Sequence, residues 1–359
     1  MLKKLEKFAI SFQYPLLAVF VIIVVISKVR LNGLVYGLDY GLFQPDGAYY
    51  ALYSYQLAGA PSPDSVQKVL DWYAKYSLKH DAITSSTLSN YTGDIWQAIY
   101  PRFLYPLLSV PFLTIFGMNG MLAIPILSLF ITTIFIQKMF RLKDLSFIGL
   151  LVNFILLTSP TFLRWMTVNY SDSLLVAIFS VMSYQLLKKG SLRSFTLLSL
   201  FCMILLTTQT RFCLPIWILL GIYQIYMKFW KTGYFIIVFS FICTIPALLL
   251  APPSALLPSQ DTANFNEKIM SLPISMIKTT GFELLQLLLI DRLLLLVTVV
   301  FTIYALSNFA KESSKIYLFV VMGCIFIGGL NGVLGVNFRY YLPIIPFGIC
   351  LMLSNQRPR

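Results

Sequence analysis

The sequence predicts an all-α polytopic membrane protein of about ten transmembrane helices, with a long first extracytoplasmic loop that holds amphipathic helices. Three observations predict it. Of 359 residues, 58% are hydrophobic and 11% charged, where a soluble domain carries about 25% charge. The apolar residues fall in runs that reach, or nearly reach, the ~20 helical residues needed to cross a bilayer. The lysines and arginines gather in short clusters between those runs, as topology signals do. The net charge of +13 is therefore no nucleic-acid footprint, and nucleic-acid binding is excluded. Mean hydropathy is +0.79. Residues 1–359 read as a single integral membrane domain with no separate soluble domain.

The N-terminal stretch MLKKLEKFAISFQYPLLAVFVIIVVISKVR has a basic start and an apolar core without a small-residue cleavage site after it, so it reads as an uncleaved signal anchor. Runs suited to crossing lie at about 13–29, 119–137, 146–163, 172–187, 195–210, 212–227, 233–251, 284–306, 316–336 and 340–354. The run 103–116 is short and holds Pro106 and Pro111, and proline removes a backbone donor and kinks a helix. Parity decides its place. With Lys3, Lys4 and Lys7 in the cytoplasm and 103–116 not crossing, Lys138/Arg141/Lys143, Lys188/Lys189/Arg193, Lys228/Lys231, Lys311/Lys315 and Arg357/Arg359 all fall inside. The outer turns then carry single cations, Arg164, Arg211 and Arg339. If 103–116 crosses, every later loop inverts and violates the positive-inside rule. The run is read as a re-entrant or interfacial element, with both termini cytoplasmic and the chain multi-pass in a bacterial inner or cell membrane.

Two outer loops are long, 30–118 and 252–283, the second opened by Pro252, Pro253 and Pro258. In the first, 65–79 places Val66, Val69, Leu70 and Tyr73 on one helical stripe, a pattern that suits a helix lying on a membrane surface. Cys202, Cys213, Cys243, Cys324 and Cys350 all lie in apolar segments without metal-ligand spacing, as small fillers do. The lone His80 sits in a polar loop, and ligation of a metal by several histidines is excluded. Two glycosylation sequons, at Asn90 and Asn169, are short enough to arise by chance.

With this topology the isolated polar residues collect on the outer side. Asp39, Asp46, Asp94 and Arg102 lie in the first loop; Arg164, Asn169 and Asp172 in one turn; Gln209 and Arg211 in another; Asp261, Glu267 and Lys268 in the second long loop; Asn337, Arg339, Tyr340 and Tyr341 in the last turn. Ionisable groups near the bilayer are costly and mark sites. Each arginine has a second reading as an interfacial anchor, but three of them with outer carboxylates point to a phosphate-facing cavity, since the guanidinium fork donates two parallel bonds to phosphate oxygens. Asp291 and Arg292 fall within the run 284–306, where a structural pairing and a substrate role stay open.

The richest patch is 37–59, GLDYGLFQPDGAYYALYSYQLAG, with two carboxylates among tyrosines. Its DGAYY, Asp46 to Tyr50, resembles the Asp-Gly-x-x-Tyr-type motif of some bacterial members of the GT-C superfamily of polyprenyl-phosphate-sugar-dependent glycosyltransferases. YPRFLYP from Tyr100, followed by Phe116-Gly117, resembles the segment after their first loop. SDSLL from Ser171 resembles the acidic start of a later span, and FRYYLP from Phe338 the Arg-Tyr-x-x-Pro element near the C-terminal spans. The first loop has no Asp-x-Asp or Glu-Asp pair, which weakens a bound metal, and no large C-terminal soluble domain is present, unlike the oligosaccharyltransferase branch.

The resemblance implies transfer of a sugar from a polyprenyl-phosphate carrier to a glycan, lipid or protein acceptor on the extracytoplasmic side. It implies Asp46 as general base, with Asp39 as second candidate or support and Asp172 assisting. Arg339, with Arg211 or Arg102, is expected to hold the carrier phosphate, and Tyr49, Tyr50 and Tyr340 to line the substrate site. Tyr49, Tyr50, Tyr53 and Tyr55 suit sugar stacking and an interfacial aromatic belt equally. No cofactor is certain, and a divalent cation stays open. The rival classes are a transporter or flippase of a lipid-linked or anionic substrate, and a surface-glycan ligase or polymerase. No two related halves with broken midplane helices are visible, as many transporters have.

Overall fold

The computed structural model describes residues 11–36, 45–60, 62–75, 83–90, 96, 99–211, 213–250, 262–331 and 337–355. The protein is all-helical: 87% is helix, with no strand among the described residues. In chain order the helices are α1 (Gln13–Tyr36), α2 (Pro45–Leu57), α3 (Ser62–Lys75), α4 (Ser85–Ser89), the 3-10 turn η1 (Tyr100–Arg102), α5 (Leu104–Phe116), η2 (Gly117–Leu122), α6 (Ala123–Arg141), α7 (Ser146–Thr158), α8 (Pro160–Thr167) and α9 (Asp172–Lys189). Then come η3 (Leu192–Ser194), α10 (Leu197–Thr210), α11 (Leu214–Tyr226), α12 (Trp230–Leu250), α13 (Thr262–Ile290), α14 (Arg292–Ser307), α15 (Glu312–Asn331), η4 (Asn337–Tyr340) and α16 (Ile344–Ser354).

Three helical runs are long and apolar enough to cross a membrane, Leu104–Arg141, Met270–Ile290 and Glu312–Leu330, or four if α7 and α8, bent by 77°, make one span. Many of the other apolar helices are shorter. At 1.5 Å per residue the 14 residues of α10 cover about 21 Å, less than the ~30 Å hydrocarbon core. They end where polar residues or proline interrupt the apolar run.

The core is built around α9. Val176, Phe179 and Met182 are buried between α6, α10 and α16. Small Ser173, Ser180 and Ser183 on the same helix are buried too, which lets neighbours approach closely. Behind it, α11 packs on α12 and α15, and α13 on α15. The N-terminal α1 rests on α6 and α7, tied by Gln137, whose amide donates to Gln13 Oε1 at 2.6 Å and to the Ser146 carbonyl at 2.8 Å. Lipid-sized apolar side chains such as Ile26, Leu198, Ile277 and Leu289 point outward, the pattern of a protein whose solvent is apolar.

The run 103–116 is the outbound arm of a hairpin. The chain turns at Gly117, whose φ of 59° suits glycine, and η2 packs back along α5. Tyr105, near the start of α5, donates to the Met121 carbonyl at the end of η2, 2.7 Å away. The chain thus doubles back beside α5 before α6 begins.

Three features differ from the sequence expectations. The stripe Val66, Val69 and Tyr73 of α3 is buried against the protein, next to α2, so it is not a face offered to lipid. Residues 262–283 of the second long loop are helix, continuous with the apolar turns up to Ile290. Asp291 breaks the run 284–306 instead of lying inside a span: it is the N-cap of α14, accepting from Leu294 N at 3.1 Å. Its other oxygen accepts from Ser159 Oγ at 2.5 Å and Thr161 N at 3.1 Å, so one buried carboxylate caps two helix N-termini. That satisfies Asp291 structurally, while Arg292 turns back to the Leu288 carbonyl.

Candidate functional site

The polar residues converge at one end of the bundle, on segments far apart in sequence. Asp46 stands in the first turn of α2, after Pro45, where the helix N-terminus favours both a proline and a carboxylate. The next residue, Gly47, lies against the Asn169 side chain: a Cβ there would sit 1.9 Å from Nδ2. That close approach brings α2 onto the turn between α8 and α9. Tyr50, one turn on, is buried; its hydroxyl shares a hydrogen bond with Ser171 Oγ at 3.2 Å and accepts from Arg102 Nη1 of η1 at 3.1 Å. Tyr105 meets the Tyr50 ring edge-on at 5.1 Å, and Ser54 Oγ donates to the Pro106 carbonyl at 3.0 Å. These contacts dock α2 on α5.

Asp172 opens α9 and Arg211 caps the C-terminus of α10. Each sits where its charge opposes the helix dipole. They form an ion pair whose side chains are 1% and 2% exposed. The last turn brings in Arg339, whose Nη1 is 3.4 Å from Asp46 Oδ2 and whose Nη2 donates to Tyr340 OH at 3.3 Å. Its guanidinium lies over an aromatic cage, 5.2 Å from the Tyr340 ring centroid, 5.3 Å from Tyr170 and 5.6 Å from Trp165. Arg211 stacks on the Tyr340 ring at 4.1 Å, so the two ion pairs share one tyrosine. From below, α13 braces the turn: Glu283 Oε2 accepts from Phe338 N at 3.0 Å, and Thr280 Oγ1 and Tyr341 OH share a hydrogen bond of 2.9 Å.

The field of this cluster is positive. Burial alone raises the Tyr340 pKa, but the guanidiniums of Arg211, Arg339 and Arg102 outweigh it and bring the phenol down to about 8. Burial works to lower the Arg339 pKa, yet Tyr340, Asp46 and Tyr170 hold it above the ordinary arginine value. Arg339 therefore stays charged.

Of the residues expected at the site, Asp46, Tyr50, Arg102, Asp172, Arg211, Arg339 and Tyr340 meet here. Arg211 is sealed against Asp172 rather than open to a ligand. Tyr49 points to the other side of α2, edge-on to Trp96 at 5.3 Å. Arg164 is exposed, over Trp165 at 5.1 Å. Asp39, Asp94, His80 and Asp261 lie outside the described residues. Trp165, Tyr170 and Glu283 went unnoticed in the sequence. A lone carboxylate in an apolar run, as at Glu283, is a signal that could have found it; nothing distinguishes Trp165 and Tyr170 from an aromatic belt. Among the described residues no three His, Cys, Asp or Glu side chains come together, and Asp46 and Asp172 are each paired to an arginine. No family model, curated protein or solved structure matches the chain, so the functional reading rests on this cluster.

Proposed function

We propose that this protein is a multi-pass membrane glycosyltransferase of the GT-C type, moving a sugar from a polyprenyl-phosphate donor to an acceptor on the extracytoplasmic side. The observation that carries the proposal is the pair Asp46–Arg339: a carboxylate whose side chain is 34% exposed, 3.4 Å from an arginine, with Arg102 reaching the same helix through Tyr50. Transfer needs a base for the acceptor hydroxyl and positive charge for the departing phosphate. Asp46 takes the acceptor proton as the acceptor oxygen bonds to the anomeric carbon. The bond from that carbon to the phosphate oxygen breaks, and the lipid phosphate leaves with the electron pair, stabilised by Arg339 and Arg102. Trp165 and Tyr170, stacked on each other beneath the Arg339 guanidinium, hold that cation in place for the phosphate. Arg211 and Asp172 do not touch substrate; they hold Tyr340 and the α9–α10 ends in place.

The topology belongs to the proposal. α9 runs from Asp172 to Lys189, about 27 Å at 1.5 Å per residue. The acidic end of the core helix and its lysines thus stand a bilayer core apart, and the positive-inside rule puts the lysines in the cytoplasm. The remaining apolar helices complete about ten crossings, the short ones by local thinning of the bilayer.

The test is transfer from a synthetic polyprenyl-phosphate sugar by the wild type and by Asp46→Asn, with folding followed by thermal unfolding in detergent. Loss of transfer with an unchanged melting temperature is expected. Full activity in the variant removes Asp46 as base, and absence of any glycosidic product from the wild type with a range of donors removes the transferase reading.

A further inference from the structure

A second polar cavity lies at the other end of the bundle, where the last turns of α9 and α16 meet the start of α15 and the chain just after α6. Its volume is about 380 Å³. Lys143 and Lys311 line it with Ser313, Ser354 and Asn355, while Leu187 and Ile316 form an apolar wall. Ser354 Oγ donates to the Leu351 carbonyl at 2.8 Å and lies 2.9 Å from Ser313 Oγ, which places two hydroxyls at the cavity. The Asn355 side-chain N–H₂ is shielded and has no hydrogen-bond partner, a donor that a buried acceptor would satisfy. Glu312 also lines the cavity, with its Oε1 buried and without a hydrogen-bond partner, so two ammonium groups face one carboxylate.

We infer that this cavity binds the phosphate headgroup of an anionic phospholipid, seated between Lys143 and Lys311 with Ser313 and Asn355 donating to its oxygens. Two ammonium groups and two neutral donors match a phosphate. A polar mouth over an apolar wall matches a headgroup joined to an acyl chain, and basic pockets between helices at a membrane face take such lipids. Lysine clusters that serve topology alone need only lie on one side of the membrane; these two lie far apart in sequence and close around one cavity. The inference rests on the membrane reading and not on glycosyl transfer, and its test contains no sugar donor.

The full chain, purified in detergent, is melted with added phosphatidylglycerol, phosphatidylcholine or inorganic phosphate. Phosphatidylglycerol is expected to raise the melting temperature by at least about 3 °C, as saturating a native-state site does, and the other two are expected to leave it unchanged. The double variant Lys143→Gln/Lys311→Gln is expected to lose the shift, while Lys188→Gln/Lys189→Gln, on exposed lysines of the same end, keeps it. Equal shifts with phosphatidylcholine, or a full shift with inorganic phosphate alone, overturn the inference. Should the double variant not fold, native mass spectrometry of the wild type decides: retention of phosphatidylglycerol no greater than of phosphatidylcholine is equally fatal.

Discussion

Asp172–Arg211 and Asp46–Arg339 share one tyrosine, yet water reaches only the second. The first pair is shut inside the bundle, 1% and 2% exposed, while Asp46 is 34% exposed beside Arg339. A sealed pair costs much desolvation, and losing one partner strands a charge in a medium that cannot solvate it. The second pair is open on its Asp46 side only, Arg339 being 10% exposed, and there water or a ligand replaces a lost partner at lower cost than inside the bundle. One is therefore a fixed joint between two helix ends, and the other is a pair that water reaches from its Asp46 side.

Breaking the joint is the largest effect. Asp172→Ala is expected to destabilise the protein by about 3–5 kcal/mol in detergent melts, and the double variant Asp172→Leu/Arg211→Met to recover most of that. A loss under about 1 kcal/mol in the single variant means the pair is not sealed. Opening the other pair acts on chemistry. Asp46→Asn is expected to lower transfer on the order of 10²–10³-fold while changing stability by less than about 1 kcal/mol. It also frees Arg339, so the lipid phosphate is expected to bind as tightly as before or tighter. Weaker binding contradicts Arg339 as the phosphate holder.

A smaller effect tests how α2 is seated. The Cβ of Gly47→Ala would overlap the Asn169 amide, an overpacking expected to cost about 1–3 kcal/mol, visible as a lower melting temperature; no change means that the turn yields. The smallest effect is electrostatic. Tyr340 titrates near 8 in the folded protein, below the ordinary phenol value of 10.0. Between those values the unfolded chain binds more protons, so stability rises with pH through this window and its share is lost as pH falls through about 8. Ultraviolet absorbance should show one tyrosinate appearing near pH 8, absent in Tyr340→Phe. A midpoint near 10 in the wild type means that the three guanidiniums do not dominate its field.

Much of the architecture was legible because its causes are local. The apolar runs of the chain yield helices at nearly every predicted position. Asp291 shows where local reading stops. Within LLLIDRLLLL it looks like a charge embedded in a span, but it ends one helix, starts the next and caps a third element more than a hundred residues away. Similarly, the stripe of α3 reads alike whether it meets lipid or protein, since both are apolar; only the position of α2 separates the two.

By itself the sequence determined an all-helical chain with membrane-suited apolar runs, basic clusters at alternate turns, and a set of isolated acids and arginines, because composition and period act within a few residues. It did not determine which acid meets which arginine. Tertiary structure decided that Asp46 faces Arg339 across 293 residues and that Arg211 belongs to Asp172. The reason is physical: the strength and availability of an ion pair depend on how much water the surrounding helices exclude, and that is settled only when the whole bundle packs.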